Sequence, residues 1–318
     1  MHQLYAIGEA LIDFIPKERD AKLKEVTQFG PQVGGAPANV ASCVAKLGRH
    51  ASLITQVGED AFGEKIIDTL TEVGVDTRYI LQTSQANTAL AFVSLTQTGE
   101  RDFAFYRKPS ADMLLRAEQV QDIHFDKTDI LHFCSVDLVP SAMKTTHEAI
   151  IEKMIEAQGT IVFDPNLRFP LWDSKEELKH TVRAFIPKAH VLKIADDELE
   201  FITGITDQEA AVQSLFEGNV EIVIVTQGKD GASLYTNAGK AAEHPGFKAE
   251  VKDTTGAGDA FIGAILYQLL GNNREDLVES AYDFIKFANA VGALTTMHYG
   301  AIGSLPELSK VNAFLDEH

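Results

Sequence analysis

Cysteine is nearly absent from this chain. The two it has, Cys43 and Cys134, sit in apolar surroundings without metal-site spacing. That excludes a disulfide framework and points to buried thiols in a reducing, cytoplasmic setting. Long hydrophobic runs are missing too: no apolar stretch approaches the roughly 18 residues of a membrane span. The opening Met1-His2-Gln3-Leu4-Tyr5-Ala6-Ile7 lacks the basic start and cleavage pattern of a secretory leader. Positive charge is scarce, with 28 Lys and Arg against 46 Asp and Glu, a formal net charge of -18. Such an excess argues against nucleic acid or an anionic membrane as partner. An anionic ligand would need local positive potential from helix ends, a divalent ion or a few basic side chains. The two common phosphate loops are also lacking. The dinucleotide fingerprint needs a third glycine where Phe261 stands, which disfavours a nicotinamide dehydrogenase, and Gly228-Lys229 lacks the upstream glycine of a P-loop.

What is present is an alternation. Short β-rich runs at residues 4–7, 52–57, 130–135, 160–164, 191–194 and 221–226 are separated by helical stretches near 36–47, 62–73, 141–157, 175–185 and 208–216. Several strands are continuous apolar runs, Ile222-Val223-Ile224-Val225 most clearly, as in a parallel sheet covered on both faces. Ligands of such sheets gather at the carboxyl ends of the strands. One region breaks the pattern. Residues 88–96 and 101–107 are extended and joined by Gln97-Thr98-Gly99-Glu100, a hairpin with its turn glycine. With extended pieces at 10–16 and 24–29, they predict a small separate sheet, a lid or an interface. No internal repeat or low-complexity tract appears.

The segment richest in chemistry is Asp253-Thr254-Thr255-Gly256-Ala257-Gly258-Asp259-Ala260. Apolar residues then recur at three-to-four spacing (Ala257, Ala260, Phe261, Ala264, Ile265, Leu269) until Gly271 supplies a stop, which marks a helix with a buried face. A helix N-terminus offers unpaired N–H groups and about half a unit of positive charge. Gly256 and Gly258 carry no side chain to keep an anion away. Read alone, the run is either a tight turn with a dipole-stabilising acid, or an anion cradle beside a base for phosphoryl transfer. At a helix N-terminus the Asp259 pKa is expected to be depressed.

Several segments together resemble the ribokinase-like (pfkB) carbohydrate kinase family. Gly34-Gly35-Ala36-Pro37-Ala38-Asn39-Val40-Ala41 is similar to its N-terminal signature and 253–261 to its C-terminal one, about two hundred residues apart. Residues 103–114 and Asp164-Pro165-Asn166-Leu167-Arg168, followed by Leu171-Trp172, resemble fructokinases within that family. 2-Keto-3-deoxygluconate kinases share a version of the second segment. The resemblance spans the chain and implies one α/β domain, residues 1–318. Its mostly parallel central sheet has helices on both faces, and a β-sheet lid comes from about 10–33 and 86–110. It implies ATP and Mg2+ as cofactors, K+ as a further ion, a sugar between lid and core, and a homodimer through the lid.

The resemblance also implies roles. Asp259 is the catalytic base, Gly256, Ala257 and Gly258 the anion hole, and Arg168 a stabiliser of charge. Sugar contacts fall to Asp13, Gly34, Gly35, Asn39, Phe105, Arg107, Asn166 and Arg168, with Arg107 and Arg168 on opposite walls and Phe103 sharing the face of Phe105. Nucleotide contacts fall to Lys193, Glu198, Thr226, Gly228, Gly231, Gly258 and Asn289. The family's Asn-x-x-Glu pattern meets Ala195 here, so only Glu198 carries over, toward magnesium through water. Asp253, Thr255, Thr295, His298, Gly300 and Ser304 match a monovalent-cation site of oxygen donors, His298 through its carbonyl. Beside a fructokinase, a 2-keto-3-deoxygluconate or other sugar kinase stays open, as does a non-catalytic sugar-binding regulator, though Asp259 and both cradle glycines are intact.

Overall fold

The computed structural model describes residues 2–18, 21–95 and 101–318. The strands are β1 (Leu4–Ile7), β2 (Leu11–Pro16), β3 (Phe29–Gly34), β4 (Ala51–Gly58), β5 (Ile80–Thr83), β6 (Ala89–Leu95), β7 (Arg101–Tyr106), β8 (Ile130–Cys134), β9 (Thr160–Asp164), β10 (Val191–Ala195), β11 (Ile222–Thr226), β12 (Ala232–Thr236) and β13 (Gly239–His244). The helices are α1 (Ala36–Lys46), α2 (Ala61–Glu72), α3 (Ala142–Glu156), α4 (Lys175–Phe185), α5 (Asp196–Thr203), α6 (Gln208–Gln213), α7 (Ala257–Leu269), α8 (Arg274–Glu279), α9 (Ala281–Thr296) and α10 (Leu308–Glu317).

Nine strands form the main sheet in the order β13-β12-β11-β10-β9-β8-β1-β4-β5. All pairs from β11 to β5 are parallel, and β12 and β13 add an antiparallel edge. Alternation along each strand divides the core in two. Leu4 and Ala6 of β1, with Ile222 and Ile224 of β11, face a cluster completed by α1, α7 and α9. Tyr5, Ile7, Val223 and Val225 point the other way, into a cluster with α3, α4, α5 and α6. Both faces are therefore dry, which is why these strands read as unbroken apolar runs. On the first face α1 and α7 pack at close range. A methyl group on Gly263 of α7 would lie 2.6 Å from Cys43 Cβ of α1. Cys43 and Cys134 are both free and buried, as their apolar setting predicts.

The expected second sheet is present, with four strands in the order β3-β2-β6-β7. Its third segment is shifted from the expected extended run at 24–29. Leu23–Glu25 is a short 3-10 turn, and the strand is Phe29–Gly34, antiparallel to β2 with Asp13 opposite Gln32. Two glycines and Pro31 hide this strand from a propensity reading; Pro31 is tolerated because β3 is an edge. The turn expected at 97–100 lies outside the described residues.

Asp60 ties the two sheets together. Its carboxylate accepts from Phe62 N (3.0 Å) and Gly63 N (2.9 Å), capping α2, and from Thr88 N and Oγ1 (both 2.8 Å) just before β6. Asp60→Ala should lower stability by about 2 kcal/mol, a lost cap plus unpaired Thr88 donors. Urea unfolding measures this, and a change under about 0.5 kcal/mol, the size of an ordinary surface substitution, would remove Asp60 from that role.

Candidate active site

The carboxyl ends of the parallel strands and the inner face of the small sheet enclose a cleft of about 210 Å³. Leu11, Asp13 and Ile15 of β2 line it at every second position, joined by Val93 of β6 and Phe105 of β7. Gly35, Ala36 and Asn39 come from the start of α1, and Asn166 and Arg168 from the loop after β9. Lys193 lies on β10, and Thr254, Thr255, Gly256, Gly258 and Asp259 lead into α7. Gly34 makes room for a neighbour, because a Cβ there would fall 2.1 Å from Asp13 Oδ2. Gly35 has φ 104°, and a Cβ would press on the Glu9 carbonyl at 2.5 Å. Gly35 requires glycine, whereas a side chain at position 34 would displace the Asp13 carboxylate.

Helix α7 begins as an anion cradle should. Gly256 sits in the left-handed region at φ 73°, and no side chain caps the first turn. No side chain takes its leading amides, and Ala257 N makes only a long 3.3 Å bond to the Thr254 carbonyl. A Cβ on Gly258 would lie 3.6 Å from Lys193 Nζ, so an ammonium stands over the same turn. Lys193 is buried and held 3.0 Å from Asp164 Oδ2.

Two amides fix Asp259. Asn39 Nδ2 donates to Oδ2 at 2.8 Å, and Asn166 Nδ2 reaches Oδ1 at 3.4 Å. Asn166 has φ 44°, a left-handed conformation that asparagine tolerates better than most residues. The Asp259 side chain keeps one face on the cleft. Protein nevertheless surrounds it so closely that burial raises its pKa, against lowering by Asn39, Arg168 and Lys193. The depressed value expected from the helix end is therefore corrected: loss of water outweighs the opposing charges and hydrogen bond.

The model of the pfkB family of carbohydrate kinases matches residues 1–308. The chain belongs to that family. A probable fructokinase-4 of Arabidopsis thaliana is 39% identical over 98% of this chain and 96% of its own length. The fructokinase of Xylella fastidiosa, solved with bound ATP, is 33% identical with a TM-score of 0.89, covering 99% of this chain and 98% of that one. That of Vibrio cholerae O395, solved with fructose, ADP and a calcium ion, is 35% identical with a TM-score of 0.90 over 99% of each chain. A double mutant of the Vibrio enzyme was solved with fructose, ADP and a potassium ion, at 34% identity and a TM-score of 0.89 over 99% of this chain and 98% of that one.

Other expected residues of this kinase lie beyond the cleft lining. Thr226 ends β11, and the loop after it turns through Gly228 (φ 55°) and Gly231 (φ 92°), where a Cβ would strike the His244 carbonyl at 1.9 Å. Asn289 is buried on α9 and donates to His244 Nδ1 (3.0 Å) and O (3.3 Å). Glu198 accepts from Leu167 N (2.6 Å) and Ala195 N (3.0 Å), bridging the loops after β9 and β10. Asp253 organises the segment before the cradle, accepting from Thr255 N (3.0 Å) and Oγ1 (2.6 Å) and from Gly300 N (3.0 Å). Thr295 and Ser304 give their hydroxyl hydrogens to Val291 and Ala301 carbonyls, and His298 N bonds the Thr295 carbonyl.

Arg107 is placed differently from expectation. It does not line the cleft opposite Arg168; it is 4% exposed and ion-paired to Asp112 and Asp137. It directly follows the end of β7, where Asp112 of the connection to β8 and Asp137 of the loop after β8 receive it. The Phe103 side chain lies outside the described residues. Sequence reasoning missed Glu9, which lines the cleft beside Gly35 and Ala36. Its one signal was a lone acid between β1 and the small sheet. Replacing Asn39 by Ala removes the strongest bond to ionised Asp259, so the carboxyl should titrate at higher pH than in the native chain. Carbon NMR of labelled aspartate reads this directly; an unmoved midpoint would show that Asn39 does not set it.

Proposed function

We propose that this kinase moves the γ-phosphoryl group of ATP onto a terminal hydroxyl of fructose, with Asp259 as base and Gly256, Ala257 and Gly258 as the cradle for the migrating group. It is an ATP-dependent phosphotransferase with an alcohol acceptor, and its fructokinase relatives span nearly its full length. The observation that carries the assignment of the base is the Asp259 carboxylate, held between Asn39 and Asn166 at the uncapped start of α7 with one face on the cleft.

The sugar would lie between Asp13 and Phe105 of the small sheet and Gly35, Asn39, Asn166 and Arg168 of the core, with the small sheet serving as lid. Asp259 takes the hydroxyl proton as that oxygen attacks in line. Phosphoryl transfer passes through a loose transition state, so late proton removal suffices. A pKa raised by burial suits a base better than a depressed one, because it lies closer to the working pH. Most of the acceleration would come from position and from charge: the α7 amides, Lys193 and Arg168 face the oxygens where negative charge shifts. Lys193, Thr226, Gly228, Gly231 and Asn289 would hold the nucleotide.

Magnesium would neutralise phosphate charge. Among the described residues no group of three or more acidic, histidine or cysteine side chains could hold a metal alone. Glu198, fixed by the Leu167 and Ala195 amides, is the carboxylate that would meet a phosphate-borne magnesium through water. Asp253 and the Thr255 hydroxyl beside it offer oxygens of the kind a hard monovalent ion takes, in a loop tied to Gly300 through the Asp253 carboxylate. Potassium there would brace the loop into α7. The rate should be higher in potassium than in sodium or cation-free buffer, and equal rates would remove the ion from the account.

Asp259→Asn should lower kcat on the order of 10²- to 10⁴-fold while ATP affinity stays near normal. Turnover close to that of the native enzyme would overturn the base. A sugar panel with ATP and magnesium, read by ADP release, tests donor and acceptor together. Fructose should lead; preference for 2-keto-3-deoxygluconate would instead mean that Arg168 pairs with an acid sugar, and silence with every sugar would mean a regulator.

A further inference from the structure

Two of the four connections between the small sheet and the core, β1 to β2 and β7 to β8, pass one buried point. Glu9 lies between β1 of the core and β2 of the small sheet, and Arg107 directly follows β7 on the return. Asp112 follows five residues later, and Asp137 lies in the loop after β8 of the core. All four are at most 4% exposed. One guanidinium nitrogen of Arg107 donates to both Asp112 and Asp137, and Ser110 Oγ donates to Asp112. Glu9 Oε1 accepts from Ala36 N at 3.0 Å, at the start of α1 beside Gly35. Arg107 is thus the cation among three buried carboxylates. Burial pushes the Glu9 pKa up to about 7, against lowering by Arg107, and burial likewise raises that of Asp137. A buried charge group of this kind adds little net stability over apolar packing, but losing one partner is severe. What it does supply is a fixed geometry.

We infer that Arg107 is a positioning residue for the sugar. It pins the end of β7, and with it the Phe105 wall two residues back, to Asp137 of the core. It also fixes the setting of Glu9, whose carboxylate holds the Ala36 amide that leads into Asn39. Two sugar-facing walls on different elements thereby share one anchor that need not touch the sugar. The inference rests on the sugar-kinase reading above.

Arg107→Met would strand three buried carboxylates and is a poor test of anything but folding. Arg107→Lys keeps the charge and loses the planar fork, and Asp137→Asn alters a partner that does not line the cleft. Each should raise the KM for fructose about 10-fold, with the KM for ATP within about twofold, the size of effect expected from misplaced binding groups. The double variant should fall well short of the product of the two, because both act through one contact. A normal fructose KM in Asp137→Asn overturns the inference, whatever Arg107→Lys does: an effect confined to Arg107 means direct contact with the sugar. Lowered melting temperatures with unchanged KM values overturn it as well, in favour of a purely structural pair. If the native enzyme itself fails to phosphorylate fructose, the failure belongs to the functional reading.

Discussion

The start of α7 is the constraint on which the site depends. A left-handed glycine turns the chain, no side chain caps the first turn, and an aspartate follows within it. Left alone, that carboxylate would fold back toward the amides and neutralise the potential an incoming anion needs. The two asparagines prevent this by holding its oxygens from the side. They come from opposite parts of the fold, the first helix and the loop after the fifth strand of the parallel run. The cradle and the acid can therefore coexist only in the folded chain.

Electrostatics elsewhere serves the same end. An acidic protein must assemble positive potential from few residues. Lys193 is buried, where its field is little screened, and the neighbouring Asp164 keeps it charged: that carboxylate raises the lysine pKa against the lowering effect of burial. Arg168 stands on the cleft wall with its guanidinium bonded to the Leu167 carbonyl. Glu198 holds the Leu167 amide from the other side of the same loop. The positive groups are thus fixed by backbone and acid partners before any phosphate enters.

The central sheet was legible because its strands are buried on both faces, so apolar runs alone mark them. β13, Gly-Lys-Ala-Ala-Glu-His, is an exposed edge with no such pattern, and β5 has four residues of mixed character. β3 is masked by Gly30, Pro31 and Gly34. In the site, local spacing gave the cradle and the acid, and the family signatures gave residues that the fold gathers around one cleft. What local sequence did not give was solvation. The helix end near Asp259 is visible in eight residues, but its burial is set by Asn39, 220 positions away, and by Asn166 and Lys193. Arg107 shows the same limit, since the acids that draw it from the cleft wall lie five and thirty residues on.

The close crossing of α1 and α7 has a mechanical consequence. Gly263 lets the helices touch through Cys43, with the Val40 carbonyl 3.4 Å from where a methyl would stand. Asn39 rides on one helix and Asp259 on the other, about a turn away from that contact. The amide and the acid are therefore held by two helices in direct contact, so the 2.8 Å bond between them rests on core packing and not on the small sheet.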